Sequence, residues 1–323
     1  MDTHSSPVTQ QTTAYANEAM PASSNEQALL HITYYTDPLC SWSWAFEPQW
    51  RRLRYEFGAQ IEWRYGMGGM IADWQQYGDP LNDICRPVQM GPQWYQVRTL
   101  SGMPFDEHIW YKDPPASSYP AGIAVKAAEQ QGAAAVERYL RRLREAVMVE
   151  RRNIARQEVL LAIAAEVAEQ GILDGEQFRQ ALANPATIDA FREDLKEVRW
   201  REIGRFPTLI LRNNEPNSRH SGAIILVGYR PYPALLDAVM HISPALVQQR
   251  STDDLLAYIV HWNYLTTREA AELTNGDLAA AEQILQAAAA AGKLHCRELL
   301  HARQAFWHAG NAGIGHAGKQ DLV

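Results

Sequence analysis

The stretch Thr36–Pro48, "TDPLCSWSWAFEP", sets one cysteine immediately ahead of an apolar run. Trp42, Phe46, Trp50, Leu53 and Phe57 recur at helical intervals, so the spacing predicts a helix from Ser41 to about Phe57. Pro48 lies one turn inside, lacks an N–H, and is expected to kink that helix. Upstream, "HITYYTD" (His31–Asp37) is β-rich and ends in a turn signal; downstream, "QIEWRYGMGG" reads as a second strand running into glycines. Strand, helix, strand in that order predicts a parallel βαβ unit. Cys40 then stands where unpaired helix N–H groups lend partial positive charge. That placement is expected to favour thiolate and lower the thiol below its free value of about 8.5. On position alone, a buried and inert cysteine remains an equal alternative.

Farther along, strand signals vanish from about Met70 to Trp200. "SSYPAGIAVKAAEQQG" reads as a helix with Ser117 or Ser118 as N-cap and Gly132 near its end. "AAVERYLRRLREAVMVER", "QEVLLAIAAEVAEQG", "GEQFRQALAN" and "IDAFREDLKEVRWREIG" continue the helical block. Strands return with "FPTLILR" (Phe206–Arg212) and "AIILVGY" (Ala223–Tyr229) around the turn-rich "NNEPNSRHSG", and "RPYPALLDAVMHI" supplies a closing helix. The expected fold class is α/β: a thioredoxin-like order, βαβ then ββα, interrupted by an all-helical insertion at about 70–200, the whole spanning 29–245. After about Pro244 three helices and a candidate wing hairpin resemble a winged-helix module over 250–308. Residues 1–28, without Lys, Arg or an apolar core, read as a disordered lead, and 309–323 as a flexible tail.

Composition narrows the function classes. The 323 residues are 46% hydrophobic with mixed charge, as in a globular protein. A net charge of −7 argues against broad nucleic-acid or anionic-membrane binding, and no apolar run reaches the roughly 20 residues of a membrane-spanning helix. Three distant cysteines (Cys40, Cys85, Cys296) make no disulfide framework, so the expected location is the reducing cytoplasm. The winged-helix-like segment Ser251–Trp307 holds four cations against seven carboxylates, a net of −3. Phosphate neutralisation needs the opposite balance, so protein docking or internal packing is the expected role there.

Two features place Cys40 in a wider context. Pro48 follows Ser43 by five positions, and "IGRFPTLIL" (Ile203–Leu211) is similar to a cis-proline segment. The chain resembles the DsbA/FrnE-like branch of the thioredoxin superfamily. The motifs that carry this are "DPLCSWSWAFEP", "MGGMIADW", "DPPASSYPAGIAVKAA", "ERRNIARQEVL", "GRFPTLIL" and "VGYRPYPALLDA", over about residues 30–242. The resemblance implies a nucleophilic Cys40, a cis bond before Pro207, and thiol–disulfide exchange with a protein thiol or glutathione as co-substrate, with no bound cofactor. Ser43 would hydrogen-bond the thiolate, and Trp42, Phe206, Pro207 and Thr208 would hold the thiol partner. The departure falls at the second motif position: dithiol members have Cys-x-x-Cys, and here Cys40-Ser41-Trp42-Ser43 leaves no resolving thiol, whether the serine is natural or introduced. "CSWSW" is also similar to the Ser-Pro-Tyr-Ser-Trp of kappa-class glutathione transferases and hydroxychromene carboxylate isomerases, which implies a glutathione-dependent isomerase or transferase as one alternative. Another is a non-catalytic adaptor, since relatives of this fold include one that hands a transcription factor to the ClpXP protease.

Remaining signals have plainer readings. Cys85, in "LNDICRPVQMGP", is a candidate resolving thiol or a spare one. Arg138, Arg141, Arg142, Arg144, Arg151, Arg152 and Arg156 read as a solvated helix face offset by Glu137, Glu145 and Glu150, the alternative being an anion-binding wall. Trp42, Trp44, Trp63, Met67, Met70 and Trp74 either line an apolar pocket or fill a core. His295, Cys296, His301 and His308 match no familiar ligand spacing, so no metal site is expected.

Overall fold

β1 (Leu30–Thr36) is β-branched and aromatic on both faces and buried on both, as a central strand must be. The apolar run after Cys40 forms two helices, α1 (Ser41–Ala45) and α2 (Glu47–Phe57), where one kinked helix was expected. Pro48 cannot donate to the carbonyl of Trp44, so the ladder is interrupted at Phe46 and restarts with Trp50 N–H on the Phe46 carbonyl at 3.1 Å. β2 (Ile61–Met67) then pairs parallel with β1, Leu30 opposite Ile61 through Thr36 opposite Met67. This is a computed structural model, and it describes residues 28–214, 222–299 and 304–309. The expected lead and tail, apart from Ala28 and Ala309, lie outside those residues, as do most of the turn "NNEPNSRHSG" and His301.

Seven helices follow β2: α3 (Met90–Ser101), α4 (Ile109–Lys112), α5 (Tyr119–Glu129), α6 (Ala133–Met148), α7 (Gln157–Ala168), α8 (Gly175–Ala183) and α9 (Pro185–Trp200). Asp174 and Asn184 cap α8 and α9 with their side chains. α5 begins at Ser118 as anticipated, but the Ser118 hydroxyl does not cap it, because that hydroxyl donates to Asp37 Oδ2 at 2.9 Å. β3 (Thr208–Asn213) then enters beside β1, antiparallel, with Tyr35 opposite Thr208. β4 (Ala223–Val227) forms the antiparallel edge, and α10 (Tyr232–Ile242) closes the unit. The sheet order β2-β1-β3-β4 is that of a thioredoxin-like α/β fold carrying a helical insertion.

The C-terminal part consists of α11 (Leu255–Trp262), β5 (Tyr264–Thr266), α12 (Thr267–Ala271), α13 (Leu278–Ala290), β6 (Leu294–Leu299) and β7 (Gln304–Ala309). Its three strands order as β5-β7-β6. β5 is too short to register as a periodic pattern, and the sequence reading missed it. This part has its own small core of Tyr258, Ile259, Leu265, Leu285 and Trp307, into which α2 contributes Tyr55.

The arginines of α6 correct the solvated-face reading. Arg141 and Arg144 are buried, at 4% and 0% exposure. Arg141 makes a bidentate pair with Glu269 of α12, both bonds 2.8 Å, and bonds Glu145 at 2.6 Å. Arg51 of α2 reaches the same Glu269 at 2.7 Å. Arg144 pairs with Glu47 and with the Thr36 hydroxyl. Arg142 bonds Glu150 at 2.6 Å and Glu166 at 2.7 Å. The alternation of Arg and Glu along α6 looks amphiphilic in one dimension, but its partners lie on other elements.

His308 of β7 belongs to the same contact. It stacks on Tyr264 of β5 at 5.5 Å and 20°, and its Nε2 has no hydrogen-bond partner among the described residues. Burial, with Arg297 beside it, lowers its pKa to about 4. The unfolded chain takes up the His308 proton near 6.5 and the folded chain only near 4, so this contribution is complete above 6.5 and lost as pH falls towards 4. Moving from neutrality to pH ~5 is expected to cost about 2 kcal/mol, read as a falling urea midpoint. His308→Phe should flatten that fall; an unchanged slope would remove His308 as its cause.

Candidate active site

The turn from β1 into α1 is built on Asp37. Its Oδ1 accepts the Leu39 N–H at 2.9 Å, and its carbonyl accepts the Cys40 N–H at 3.0 Å. Oδ2 accepts the Met70 N–H at 2.7 Å and the Ser118 hydroxyl at 2.9 Å. One carboxylate thus joins the cysteine turn, the loop after β2 and the start of α5. It is 1% exposed. Burial raises its pKa, and the donors from Met70, Leu39 and Ser118 oppose that rise. The sequence marked Asp37 only as a turn residue; its three-way role depends on partners up to 81 positions away.

Cys40 is the N-cap residue of α1 and is 5% exposed. Its thiol donates to the Phe206 carbonyl at 3.4 Å, across 166 residues of sequence. The Phe206–Pro207 peptide is cis. Ser43 is fully buried, and its hydroxyl makes no well-aligned hydrogen bond, though it stands near enough to the sulfur to favour the charged form. The expected lowering of the thiol pKa is not what results. Burial pushes the Cys40 thiol above its ordinary value, and Asp37 adds to this, while Ser43 and Arg144 only partly offset it. A five-residue helix supplies little dipole against that desolvation. Alkylation of Cys40, followed peptide by peptide in mass spectrometry, should therefore still be accelerating at pH 9.0, with exposed Cys85 and Cys296 as internal references. A plateau reached by about pH 8 would contradict this environment.

Cys40 lies at the wall of a 980 Å³ cleft that Trp42, Met70, Tyr77, Phe206 and Tyr229 also line. Gly68 makes room for the Phe206 ring, from which a Cβ there would fall 2.2 Å. Arg205 is the one cation among the described lining residues, with Asp73 and Asp79 opposing it. A cleft that mixes aromatic and apolar walls with several polar side chains suits a polypeptide segment or a small organic thiol.

Of the residues expected at the site, Cys40, Trp42 and Phe206 line the cleft. Ser43, Pro207 and Thr208 do not; Thr208 is 2% exposed and its hydroxyl donates to the Arg205 carbonyl at 2.7 Å. Of the tryptophans and methionines expected at a pocket, Trp42 and Met70 line the cleft and the other four pack elsewhere. The Trp44 indole donates to the Pro104 carbonyl at 2.8 Å, Trp63 packs on Trp50 and Tyr65, Met67 is buried, and Trp74 donates to the Pro115 carbonyl at 2.9 Å. Cys85 is exposed, bonded to Gln89, and outside the lining, which gives the resolving-thiol reading no support. Tyr77 and Tyr229 were missed as site residues; "VGYRPYP" contains Tyr229, but only the return of β4 beside β3 brings it to the cleft.

Residues 34–235 match the family profile described as Thioredoxin. The ClpXP adapter protein SpxH of Halalkalibacterium halodurans is 30% identical over 211 residues, 63% of this chain and 64% of that protein, a little under two thirds of its length. The protein of the same name from Shouchella clausii is 30% identical over 259 residues, 79% of this chain and 80% of that one. A candidate protein disulfide isomerase from Nitrosomonas europaea, 20% identical, shares the fold with a TM-score of 0.55 over 66% of this chain and 97% of its own. That profile spans more than half of the chain and the strand order agrees with it, so the chain belongs to the thioredoxin family.

Proposed function

We propose that this chain is a protein-interaction adaptor on a DsbA-like scaffold, recruiting a client protein to a ClpXP-type protease. The observation that carries this reading is the state of the thiol centre: one buried, proton-retaining cysteine, with a fully buried serine where a resolving cysteine would stand. A thiol of raised pKa is a poor attacking group at neutral pH, and without a second sulfur it cannot complete a dithiol cycle. Support comes also from the two relatives named ClpXP adapter protein SpxH; the Shouchella match, 259 residues long, exceeds the thioredoxin span 34–235 and so extends outside it. The C-terminal part is acidic and joined to α2 and α6 by buried ion pairs, which suits a docking unit held in fixed relation to the cleft. The reading implies a cytoplasmic location and a protein partner.

A second reading has its own observation. The Cys40 sulfur meets the Phe206 carbonyl inside an open cleft, which is where a thiol partner's backbone and sulfur would meet in a DsbA-like exchange. There Cys40 acts as a monothiol, and glutathione or a protein thiol supplies the second sulfur. One experiment separates the two. Under the adaptor reading, deletion of the gene stabilises a client whose degradation by purified ClpXP depends on the full-length protein, and Cys40→Ser leaves that turnover intact. If no client is stabilised, and the protein instead reduces mixed disulfides at a rate Cys40→Ser abolishes, the oxidoreductase reading replaces it.

A further inference from the structure

One wall of the cleft is anchored from the C-terminal part. Tyr229 follows β4, lines the cleft, and sets its ring 5.9 Å from that of Trp42. Its hydroxyl accepts a hydrogen bond from Gln49 Nε2 at 3.1 Å. The same Nε2 donates its other hydrogen to Glu272 Oε2, also at 3.1 Å, across 223 residues. Glu272 sits at the C-terminus of α12 and is held in turn by Arg268, at 2.8 Å, and by Arg52, which donates to its backbone carbonyl at 2.9 Å. Gln49 is 1% exposed, and its Oε1 has no hydrogen-bond partner among the described residues.

The two bonds from Nε2 fix the sense of the amide. Turning it over would set Oε1 against the Glu272 carboxylate and remove the donor that Gln49 supplies there. Leaving a buried acceptor unpaired is unfavourable, and the amide is held this way by the two bonds its nitrogen makes, one of them to a charged acceptor. Trp42 is two residues from Cys40 and both line the cleft, so what positions Tyr229 bears on a ring that shares that cleft with the thiol.

We propose that Glu272, through Gln49, is a positioning residue for the cleft: the chain Glu272–Gln49–Tyr229–Trp42 makes the C-terminal part set the shape of the wall beside Cys40. Cleft and C-terminal part are then energetically coupled, so that a change at one is felt at the other. The inference concerns the cleft itself and stands whichever partner occupies it.

The test is a double-mutant cycle read by iodoacetamide alkylation of Cys40 in the full-length protein, resolved from Cys85 and Cys296 by peptide mass spectrometry. Glu272→Ala and Tyr229→Phe are each expected to raise the Cys40 rate roughly two- to tenfold, the scale of one lost hydrogen bond. Because both cut one chain, the double variant should match either single. Glu272→Gln, whose amide oxygen still accepts from Gln49, should restore the wild-type rate. Multiplying effects in the double variant, or an unchanged Cys40 rate in Glu272→Ala, would overturn the proposal. So would a parallel rise at Cys85, which would report general loosening. Should Glu272→Ala fail to fold, the cycle is run with Arg268→Gln, which releases the carboxylate from its anchor and is expected to raise the rate in the same non-additive way.

Discussion

Replacing Glu269 by glutamine is expected to destabilise the protein by about 3–5 kcal/mol, although the two side chains have nearly the same shape. Glu269 is 0% exposed and accepts from Arg51 at 2.7 Å and from Arg141 at 2.8 Å twice, so its charge balances two buried guanidinium groups. Burial alone would raise its pKa, yet Arg141 and Arg51 bring it down to about 2. Glutamine keeps an oxygen for the Thr266 N–H, which the carboxylate accepts at 2.8 Å, so the cap of α12 survives, while the charge is lost and an amide nitrogen replaces the oxygen that accepts from Arg51 and Arg141. Two cations then face one another, Arg141 keeping Glu145 and Glu47 beside it and Arg51 keeping the Tyr264 carbonyl. The same pair gives an acid signature. Glu269 is ionised in the folded protein down to about 2 and in the unfolded chain only above its usual 4.5, so its contribution is lost as pH falls between those values. Urea unfolding of Glu269→Gln at neutral pH checks the prediction. A loss under about 1 kcal/mol would mean that water reaches this contact and screens it.

Trp44→Ala is the second large effect, about 3–5 kcal/mol by the usual cost of emptying a buried aromatic site. Trp44 follows the cysteine turn by one helical turn but faces the interior, 0% exposed. Its N–H is satisfied by Pro104 at 2.8 Å, and the Arg141 guanidinium lies 4.4 Å from its ring centroid. Truncation removes the packing, orphans a carbonyl and takes the aromatic face from a buried cation, so relaxation cannot recover much. The expected result is a lowered urea midpoint with an unchanged slope. A cost near 1 kcal/mol would place the indole at the cleft surface and return it to the candidate ligand-binding set.

Local signals carried the sheet. The β-rich runs at His31, Gln60 and Phe206 and the apolar spacing after Cys40 correspond to β1, β2, β3 and the α1–α2 pair, because each depends on side chains within a few residues of one another. The break at Phe46 was legible as a proline effect but not as a complete interruption, which depends on how Trp44 is drawn into the core. β5, with three residues, exists only through its pairing with β7. The arginines of α6 were misread for the same reason, since Glu269 and Glu47 lie on other elements.

By itself the sequence determined that a single cysteine heads the first helix of a βαβ unit, that serine replaces its second sulfur, and that the fold is a thioredoxin-like sheet with a helical insertion. These follow from covalent order and from periodicities that one element expresses alone. Only the tertiary structure decided that the thiol is buried and holds its proton, that Asp37 ties the cysteine turn to the loop after β2 and the start of α5, and that the C-terminal part reaches the cleft through Glu272 and Gln49. Desolvation and hydrogen bonding act between groups that are neighbours in space, and here those neighbours stand up to 223 residues apart along the chain.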